Sequence, residues 1–264
     1  MTVYVATPAD GAAWITGASS GIGRALALEL AGTGWTVVAT ARSAAALETL
    51  ANEARDLAGR IVPMPGDVTD APAMAAIAAR IEAEVAPVAL LVANAGIYLP
   101  QDGLAGSAEA YAQTIDVNLK GTVNVLLPVI AAMTLRRKGQ IAVVASVAGY
   151  SGLPTSAAYG ATKAGLINMA ESLKFDLDRA GIRIQLVSPG FVDTPATAEN
   201  PFPMPHLMPV EAAAKAIADG LKGKAFEIAF PRAFVRQLKF LRLLPYRLYF
   251  PLVARATGWA KKPL

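Results

Sequence analysis

Tyr159 and Lys163 lie four residues apart in a segment with the apolar pattern of a helix. Residues four apart on a helix share a face, so the two side chains are expected to be neighbours. A nearby ammonium group favours the phenolate and lowers the pKa of a tyrosine from its usual value of about 10. The pair therefore predicts a tyrosine that acts as general acid and base. Because Tyr-x-x-x-Lys also arises by chance, the prediction depends on other polar groups converging on the pair.

Two polar residues earlier in the chain meet that condition. Ser146 follows the fifth predicted strand, at the carboxyl edge where the active sites of parallel sheets lie. Asn118 lies in the sequence Ile-Asp-Val-Asn-Leu, within the fourth predicted helix. The candidate catalytic residues are therefore Asn118, Ser146, Tyr159 and Lys163.

A glycine-rich turn, Thr-Gly-Ala-Ser-Ser-Gly-Ile-Gly over residues 16–23, joins the first predicted strand to the first predicted helix. Glycines let the backbone approach a pyrophosphate closely, and the free N–H groups of a helix N-terminus favour its charge. An ordinary turn has the same glycines, but the position after the first strand of a βαβ series favours cofactor binding. The candidate residues are Gly17, Ser19, Ser20, Gly21, Ile22 and Gly23.

The end of the second predicted strand should meet the adenosine ribose, where an acidic residue selects NAD(H). This strand ends in Thr-Ala-Arg-Ser, without an acid. Arg42 offers a guanidinium for a 2′-phosphate, and Ser43 offers a hydroxyl as well as a helix N-cap. We therefore expect NADP(H) as the cofactor. The alternative is that Arg42 is a solvated residue near a helix start.

Asp67 and Val68 follow the third predicted strand, in Gly-Asp-Val-Thr. Asp67 has two interpretations of equal weight. It accepts a hydrogen bond from the adenine amino group, or it is a turn residue.

Short apolar runs alternate with amphipathic segments of helical length. Strands are predicted at residues 12–16, 36–41, 61–64, 89–93, 141–145, 182–187 and 225–229. Most are continuously apolar, which is typical of strands covered on both faces. Helices are predicted at residues 23–31, 44–58, 71–85, 108–137, 157–180 and 210–221. This alternation predicts an α/β fold with a doubly wound, parallel, seven-stranded sheet of the Rossmann type.

No linker or internal repeat interrupts residues 1–230, which are predicted to form one domain. Within it, residues 194–209 contain five prolines and are predicted to be a loop. Residues 231–264 form a C-terminal extension with eight of the 24 Lys and Arg residues and none of the 20 Asp and Glu residues. The net charge of +4 therefore comes from the extension, and we expect no nucleic-acid partner for the domain.

The composition also argues against several kinds of site. The chain has no cysteine and one histidine, His206, so disulfides, thiolate catalysis and a metal site are not expected. The lack of cysteine fits a reducing compartment such as the cytoplasm. We find no signal-peptide pattern and no uncharged apolar run of 18 residues, so no spanning helix is expected.

Taken together, these motifs resemble those of the short-chain dehydrogenase/reductase family, over roughly residues 10–230. The motifs stand in the family's order: the glycine turn, Asn94-Ala95-Gly96, Asn118, Ser146, Tyr159-x-x-x-Lys163 and Pro189-Gly190-Phe191-Val192-Asp193-Thr194. The resemblance implies an NAD(P)(H)-dependent oxidoreductase that moves a hydride between nicotinamide and a carbonyl or alcohol carbon. It also implies a homodimer or homotetramer built on the helices at 108–137 and 157–180.

The resemblance implies a role for each catalytic residue. Tyr159 would protonate the carbonyl oxygen, and Ser146 would orient and polarise the carbonyl group. Lys163 would lower the pKa of Tyr159 and bind the nicotinamide ribose. Asn118 would hold a water that relays protons to Lys163.

The same resemblance assigns residues to the cofactor groove. Asn94, with Ala95 and Gly96, would line the groove and stabilise the sheet. The nicotinamide would be cradled by four residues, Pro189, Gly190, Val192 and Thr194. Its carboxamide would be held by the backbone of Val192 and by Thr194. One position departs from the pattern, because some NADP-dependent relatives have a basic residue where this chain has Ser20. Arg42 would then supply the charge for the 2′-phosphate alone.

Residues 194–209 occupy the family's substrate-lid position. They include the apolar residues Phe202, Met204, Leu207 and Met208. An apolar lid predicts a hydrophobic carbonyl or alcohol substrate, lipid-like or steroid-like. The alternative of equal weight is that these side chains pack on the domain. His206 is interpreted as a loop residue, because Tyr159 already supplies the acid and base.

The C-terminal extension has two contrasting faces at helical spacing. They are Arg232, Arg236 and Lys239 on one face, and Phe234, Leu238 and Leu241 on the other. With six aromatic residues in 231–264, this pattern predicts an amphipathic helix over 232–244 that docks peripherally on the anionic inner face of a membrane. The alternative is that the apolar face packs on the domain or on a partner subunit.

We therefore expect NADPH-dependent reduction of a ketone or aldehyde, reversible as alcohol oxidation, on a hydrophobic substrate such as those of lipid metabolism. The alternative is a non-catalytic NADP(H)-binding sensor or scaffold. The intact set of polar residues argues against a sensor, which needs no proton relay.

Overall fold

The computed structural model describes residues 4–198 and 204–262. Seven parallel strands form one sheet in the order β3-β2-β1-β4-β5-β6-β7. They are β1 (Ala12–Thr16), β2 (Thr36–Thr40), β3 (Arg60–Pro63), β4 (Val88–Ala93), β5 (Gly139–Val144), β6 (Ile182–Pro189) and β7 (Glu227–Phe230). All seven predicted strands are confirmed, with ends that shift by at most two residues.

Both faces of the sheet are covered, as the continuously apolar strands predict. Every residue of β1, β4, β5 and β6 is buried. Trp14 and Leu91 belong to the hydrophobic core on one face, whereas Ile15 and Leu90 belong to the core on the other.

The helices are α1 (Gly21–Gly32), α2 (Ala44–Glu53), α3 (Ala71–Arg80), α4 (Ala108–Ile115), α5 (Gly121–Arg136), α6 (Ala157–Ala180), α7 (Val210–Lys222), α8 (Arg232–Arg242) and α9 (Tyr246–Ala256). The prediction of a helix to residue 58 was wrong, because α2 ends at Glu53. The chain leaves the helix there to pass close to Trp35, where a Cβ on Gly59 would lie 2.1 Å from the Trp35 carbonyl oxygen.

Two helical segments contain π turns, which the sequence did not predict. Ile81–Val85 follows α3, and Asp116–Lys120 joins α4 to α5. The extension also differs from the prediction. After α8 it forms a second helix, α9, which Pro245 caps and which includes Pro251.

Among the described residues, one continuous helix is long and apolar enough to cross a membrane, judged by length and composition alone. It covers Ala108–Arg136. Val125, Leu126 and Val129 on this helix are buried in the hydrophobic core. Core helices pass the same test, so this finding is weak support for a spanning segment.

The sheet order places a functional edge between β1 and β4. The strand order reverses at that point, so the connections after β1 and β4 leave in opposite directions and open a crevice at the carboxyl ends of the strands. The glycine turn follows β1, Asn94 follows β4 and Ser146 follows β5. The topology therefore brings together segments that are far apart in the chain.

Candidate active site

The glycine turn is shaped for a close backbone approach. Gly17 and Gly21 have φ values of +68° and +52°, in the left-handed region that favours glycine. A Cβ on Gly23 would lie 2.4 Å from the carbonyl oxygen of Gly17, so only glycine fits there. Ser20 at the N-cap of α1 makes no side-chain capping bond, so the first N–H groups of the helix are open to an anion.

Asn94 ties this turn to the neighbouring strand. Its Nδ2 donates to the carbonyl oxygen of Thr16 at 2.9 Å, and its backbone N–H donates to Oγ1 of Thr16 at 3.1 Å. A Cβ on Gly17 would meet the Cα of Ala95 at 2.8 Å. Asn94 thus stabilises the junction of β1 and β4 and also lines the cavity.

Arg42 and Ser43 lie where the sequence predicted them, at the end of β2 and on the cavity wall. Arg42 is exposed, and Ser43 caps α2 by accepting a hydrogen bond from the N–H of Ala46 at 3.3 Å. The backbone N–H of Ala18 donates to the carbonyl oxygen of Thr40 at 3.2 Å, so the glycine turn and Arg42 share one region. This placement suits a guanidinium that binds a phosphate beside a ribose.

Asp67 is a turn residue that also faces the cavity. Its Oδ1 accepts hydrogen bonds from the N–H and the hydroxyl of Thr69, both at 2.9 Å. Asp67 and Val68 line the same cavity as Arg42. These bonds fit the turn interpretation. The bond to adenine stays a prediction.

Ser146 and Tyr159 meet at the carboxyl edge of the sheet. Both side chains line the cavity, and Ser146 is close enough to Tyr159 to lower the pKa of its hydroxyl. Oγ of Ser146 also accepts from the N–H of Ala148 at 3.1 Å and lies 3.4 Å from the carbonyl oxygen of Pro189. A hydroxyl pair held in this way presents two polar groups to one substrate oxygen.

Lys163 lies one helical turn beyond Tyr159, buried and facing the same cavity. Its Nζ donates to the carbonyl oxygen of Val144 at 2.9 Å and lies 5.5 Å from the centroid of the Tyr159 ring. A Cβ on Gly96 would lie 3.4 Å from this nitrogen, so the glycine keeps it accessible from the groove.

The pKa of Tyr159 does not move in the direction that the sequence predicted. Burial raises the pKa of Tyr159 above its ordinary value, although the hydrogen bond from Ser146 opposes the shift. Burial also lowers the pKa of Lys163, to about 8. The pKa is raised because desolvation penalises the phenolate, and the neighbouring Tyr98 adds to the shift.

Asn118 occupies the π turn between α4 and α5 and is fully buried. Its Oδ1 accepts from the N–H of Ile97 at 2.7 Å, and its Nδ2 donates to the carbonyl oxygen of Ile97 at 2.9 Å. Nδ2 also donates to Oγ1 of Thr162, next to Lys163, at 3.2 Å. Asn118 therefore fastens the segment after β4 to α6, and its water relay stays a prediction.

The segment from Pro189 to Thr194 closes the groove from the other side. The side chain of Thr194 would lie 3.3 Å from a Cβ on Gly21, which places it opposite the glycine turn. Val192 pairs with Met208 of the lid loop, whose N–H donates to the carbonyl oxygen of Phe191 at 3.0 Å. Met208 thus packs on the domain, while Leu207 and His206 are exposed and Phe202 lies outside the described residues.

Sequence reasoning missed Tyr98. Its ring meets the Tyr159 ring edge-on at 4.9 Å between centroids, and its hydroxyl lies 3.3 Å from Oγ1 of Thr155. Its position two residues after the Asn94-Ala95-Gly96 motif is the only sequence signal, and no spacing rule connects it to Tyr159.

Most of these groups line one cavity of about 850 Å³. It contains every candidate residue named from the sequence except Gly23 and Asn118, which lie just behind the wall. The Gly23 contact and the open helix N-terminus fit a dinucleotide pyrophosphate along this groove.

The extension also lines this cavity, which corrects the picture of a free amphipathic helix. The face of α8 that includes Phe234, Leu238 and Leu241 points to the cavity, and Phe234 stacks on Phe191 at 5.5 Å. Since these residues close the site, they are not available to a membrane. The alternative interpretation, packing on the domain, is therefore correct for this face.

Comparison with known proteins agrees with this geometry. Residues 11–202 match the family described as short chain dehydrogenase. An uncharacterized oxidoreductase of Myxococcus xanthus is 37% identical over 237 residues, 90% of this chain and 94% of the relative. The 3-oxoacyl-(acyl-carrier-protein) reductase FabG of Thermotoga maritima is 37% identical over 187 residues, 71% of this chain and 76% of the relative. A crystal structure of an actinorhodin polyketide ketoreductase variant with NADPH has a TM-score of 0.76 at 26% identity, covering 85% of this chain and 97% of that one.

The chain belongs to the short-chain dehydrogenase/reductase family. It is an NAD(P)-dependent oxidoreductase with the Rossmann-type fold that the sequence predicts.

Proposed function

We propose that this oxidoreductase reduces a ketone or aldehyde on a hydrophobic substrate with NADPH, with Tyr159 as the proton donor. The observation that carries the proposal is the convergence of Ser146, Tyr159 and Lys163 on the cavity that begins at the glycine turn. The similarity to FabG, a 3-oxoacyl reductase, supports a chain-like ketone as substrate and a role in lipid metabolism.

NADPH, when bound, supplies a hydride to the carbonyl carbon. Tyr159 gives its proton to the carbonyl oxygen, and Ser146 holds the same oxygen by a hydrogen bond. Burial raises the pKa of Tyr159, so its hydroxyl keeps the proton at neutral pH, which is the form that reduction needs. Lys163 would hold the nicotinamide ribose, since its side chain faces the same cavity.

The proposed reaction is tested by a carbonyl screen. We expect NADPH absorbance to fall with neutral apolar ketones, and faster than with charged or very polar carbonyls, because the charged side chains on the described cavity wall are confined to the cofactor and catalytic region. If no carbonyl is turned over while NADPH binds, the non-catalytic sensor replaces this proposal.

NADPH preference is tested at Arg42. Replacing Arg42→Ala is expected to weaken NADPH binding about 10- to 100-fold, because hydrogen bonds to charged groups contribute about 1.5–3 kcal/mol. NADH binding should change little, and titration of both cofactors measures the difference. Arg24→Ala is the matched control, since Arg24 pairs with Glu53 and does not line the cavity. Equal losses for NADPH and NADH would contradict the assignment.

We also propose a homodimer or homotetramer in the cytoplasm, formed on α5 and α6. Large apolar side chains are exposed on both helices, with Leu127 at 61%, Leu135 at 90% and Phe175 at 78% exposure. Burial of such residues between subunits would stabilise an oligomer.

We also propose that the outer face of the extension binds peripherally to an anionic membrane. It exposes Phe240, Leu243, Tyr246 and Phe250 by 60% or more, among arginines and without any acid. We expect the protein to float with vesicles that contain anionic lipid and not with zwitterionic vesicles. The variant Leu243→Ser/Phe250→Ser should lose flotation, and unchanged flotation would refute this surface.

A further inference from the structure

The extension lines one side of the cavity and is bound to several segments of the domain. Lys239 of α8 forms an ion pair with Glu227 of β7, which also accepts hydrogen bonds from Tyr150 and Ser188. These contacts hold α8 against the domain at the edge of the sheet.

The second half of the extension is held by other segments. The Tyr249 hydroxyl of α9 donates to the carbonyl oxygen of Gly152 at 2.7 Å. Nζ of Lys262 lies 3.3 Å from Oδ2 of Asp102, in the loop after β4. The extension therefore contacts three parts of the domain: β7, the loop that contains Gly152, and the loop after β4.

The inner side of the extension is uncharged and mainly apolar, with Gln237 and Thr257 as its polar side chains on the described cavity wall. Leu238 and Leu241 of α8, Val253 of α9 and Trp259 line the cavity. On the described cavity wall the charged side chains are Arg42, Asp67 and Lys163, all in the cofactor and catalytic region. The part of the cavity under the extension thus offers apolar surface to an uncharged ligand.

Part of α8 lies close to Ser146. Leu238 and Leu241 border a small void together with Val147 and Leu153. Val147 directly follows Ser146, so this part of the extension lies beside the serine that holds the carbonyl oxygen. The match to the family model ends at residue 202, before α8 begins.

We propose that α8, α9 and Trp259 form a substrate-recognition roof, in which Leu241 and Trp259 select ketones with a long, uncharged apolar body. This inference rests on the proposed function. The carbonyl group lies at Ser146 and Tyr159, and the apolar body packs under the roof. Each methylene of the substrate that reaches the roof then adds binding energy.

The test uses a series of methyl ketones from 2-butanone to 2-decanone with the full-length protein. For wild type, kcat/KM should rise with chain length by up to about fourfold for each methylene that becomes buried. In Leu241→Ala/Trp259→Ala this rise should flatten, so that 2-decanone loses at least tenfold while 2-butanone changes less than threefold. Leu243→Ala, at an exposed position near the end of the same helix, is the control and should keep the wild-type rise.

A binding measurement separates this inference from the proposed function. Titration with 2-decanone in the presence of NADP⁺ should quench tryptophan fluorescence in wild type and in Trp35→Phe, but not in Trp259→Phe, because Trp14 and Trp35 are buried in the core. Quenching without turnover would keep the roof and overturn the proposed reaction. Turnover with an unchanged chain-length dependence, or an equal loss for all ketones, would overturn the roof.

Discussion

Replacing Tyr159→Phe is expected to lower kcat for ketone reduction by about 10²- to 10⁴-fold, the range that a positioned general acid contributes. Phenylalanine keeps the ring that packs edge-on against Tyr98 and removes only the hydroxyl, whose pKa Ser146 lowers. NADPH binding should therefore stay within a few fold of wild type. Single-turnover absorbance gives the chemical rate, and fluorescence titration gives the Kd for NADPH.

Tyr98→Phe is the matched control for this prediction. It removes a hydroxyl that lies 3.3 Å from Thr155 and leaves the packing against the Tyr159 ring intact. We expect a rate within a few fold of wild type. Full activity in Tyr159→Phe would show that another group donates the proton.

Replacing Lys163→Met is expected to abolish most activity and to stabilise the fold at neutral pH. Burial lowers the pKa of Lys163 from 10.5 to about 8, so the folded protein carries a buried charge that costs about 3 kcal/mol. Methionine removes this cost but leaves the carbonyl oxygen of Val144 without its hydrogen bond, a loss of about 1 kcal/mol. The expected net gain in the free energy of unfolding is about 2 kcal/mol at pH 7.

The pH dependence follows from the sign of the same shift. Below pH 8 the lysine is protonated in both states, and the full cost is present. Between pH 8 and 10.5 the folded state has already lost the proton that the unfolded state still binds, so raising the pH stabilises wild type. The advantage of Lys163→Met should therefore shrink over this range.

Urea unfolding at a series of pH values measures the difference. Lys222→Met, at an exposed surface position, is the control and should change stability little at any pH. If Lys163→Met is less stable than wild type at pH 7, the contacts of the ammonium group stabilise the folded protein by more than its burial destabilises it.

Local chemistry explains why much of the site could be read from the sequence. Helical spacing alone puts Tyr159 and Lys163 on one face, and the glycine turn has a backbone conformation that other residues resist. Continuous apolar runs predict strands covered on both faces, and the order of the sheet follows from how such strands and helices connect. These features depend on residues that are close in the chain, so periodicity and residue type suffice.

The remaining features depend on contacts between distant segments. The helical spacing of α8 predicts an apolar face but not its partner, and only the folded chain turns Leu241 toward the cavity instead of a membrane. Tyr98 reaches Tyr159 because β4 ends beside α6, and the raised pKa of Tyr159 results from its burial among these segments. Burial and desolvation are properties of the packed molecule, because they depend on which surfaces exclude water from a group. The sequence thus determined the chemical groups and their local geometry. The tertiary structure decided the pKa values of these groups and which segments bury them.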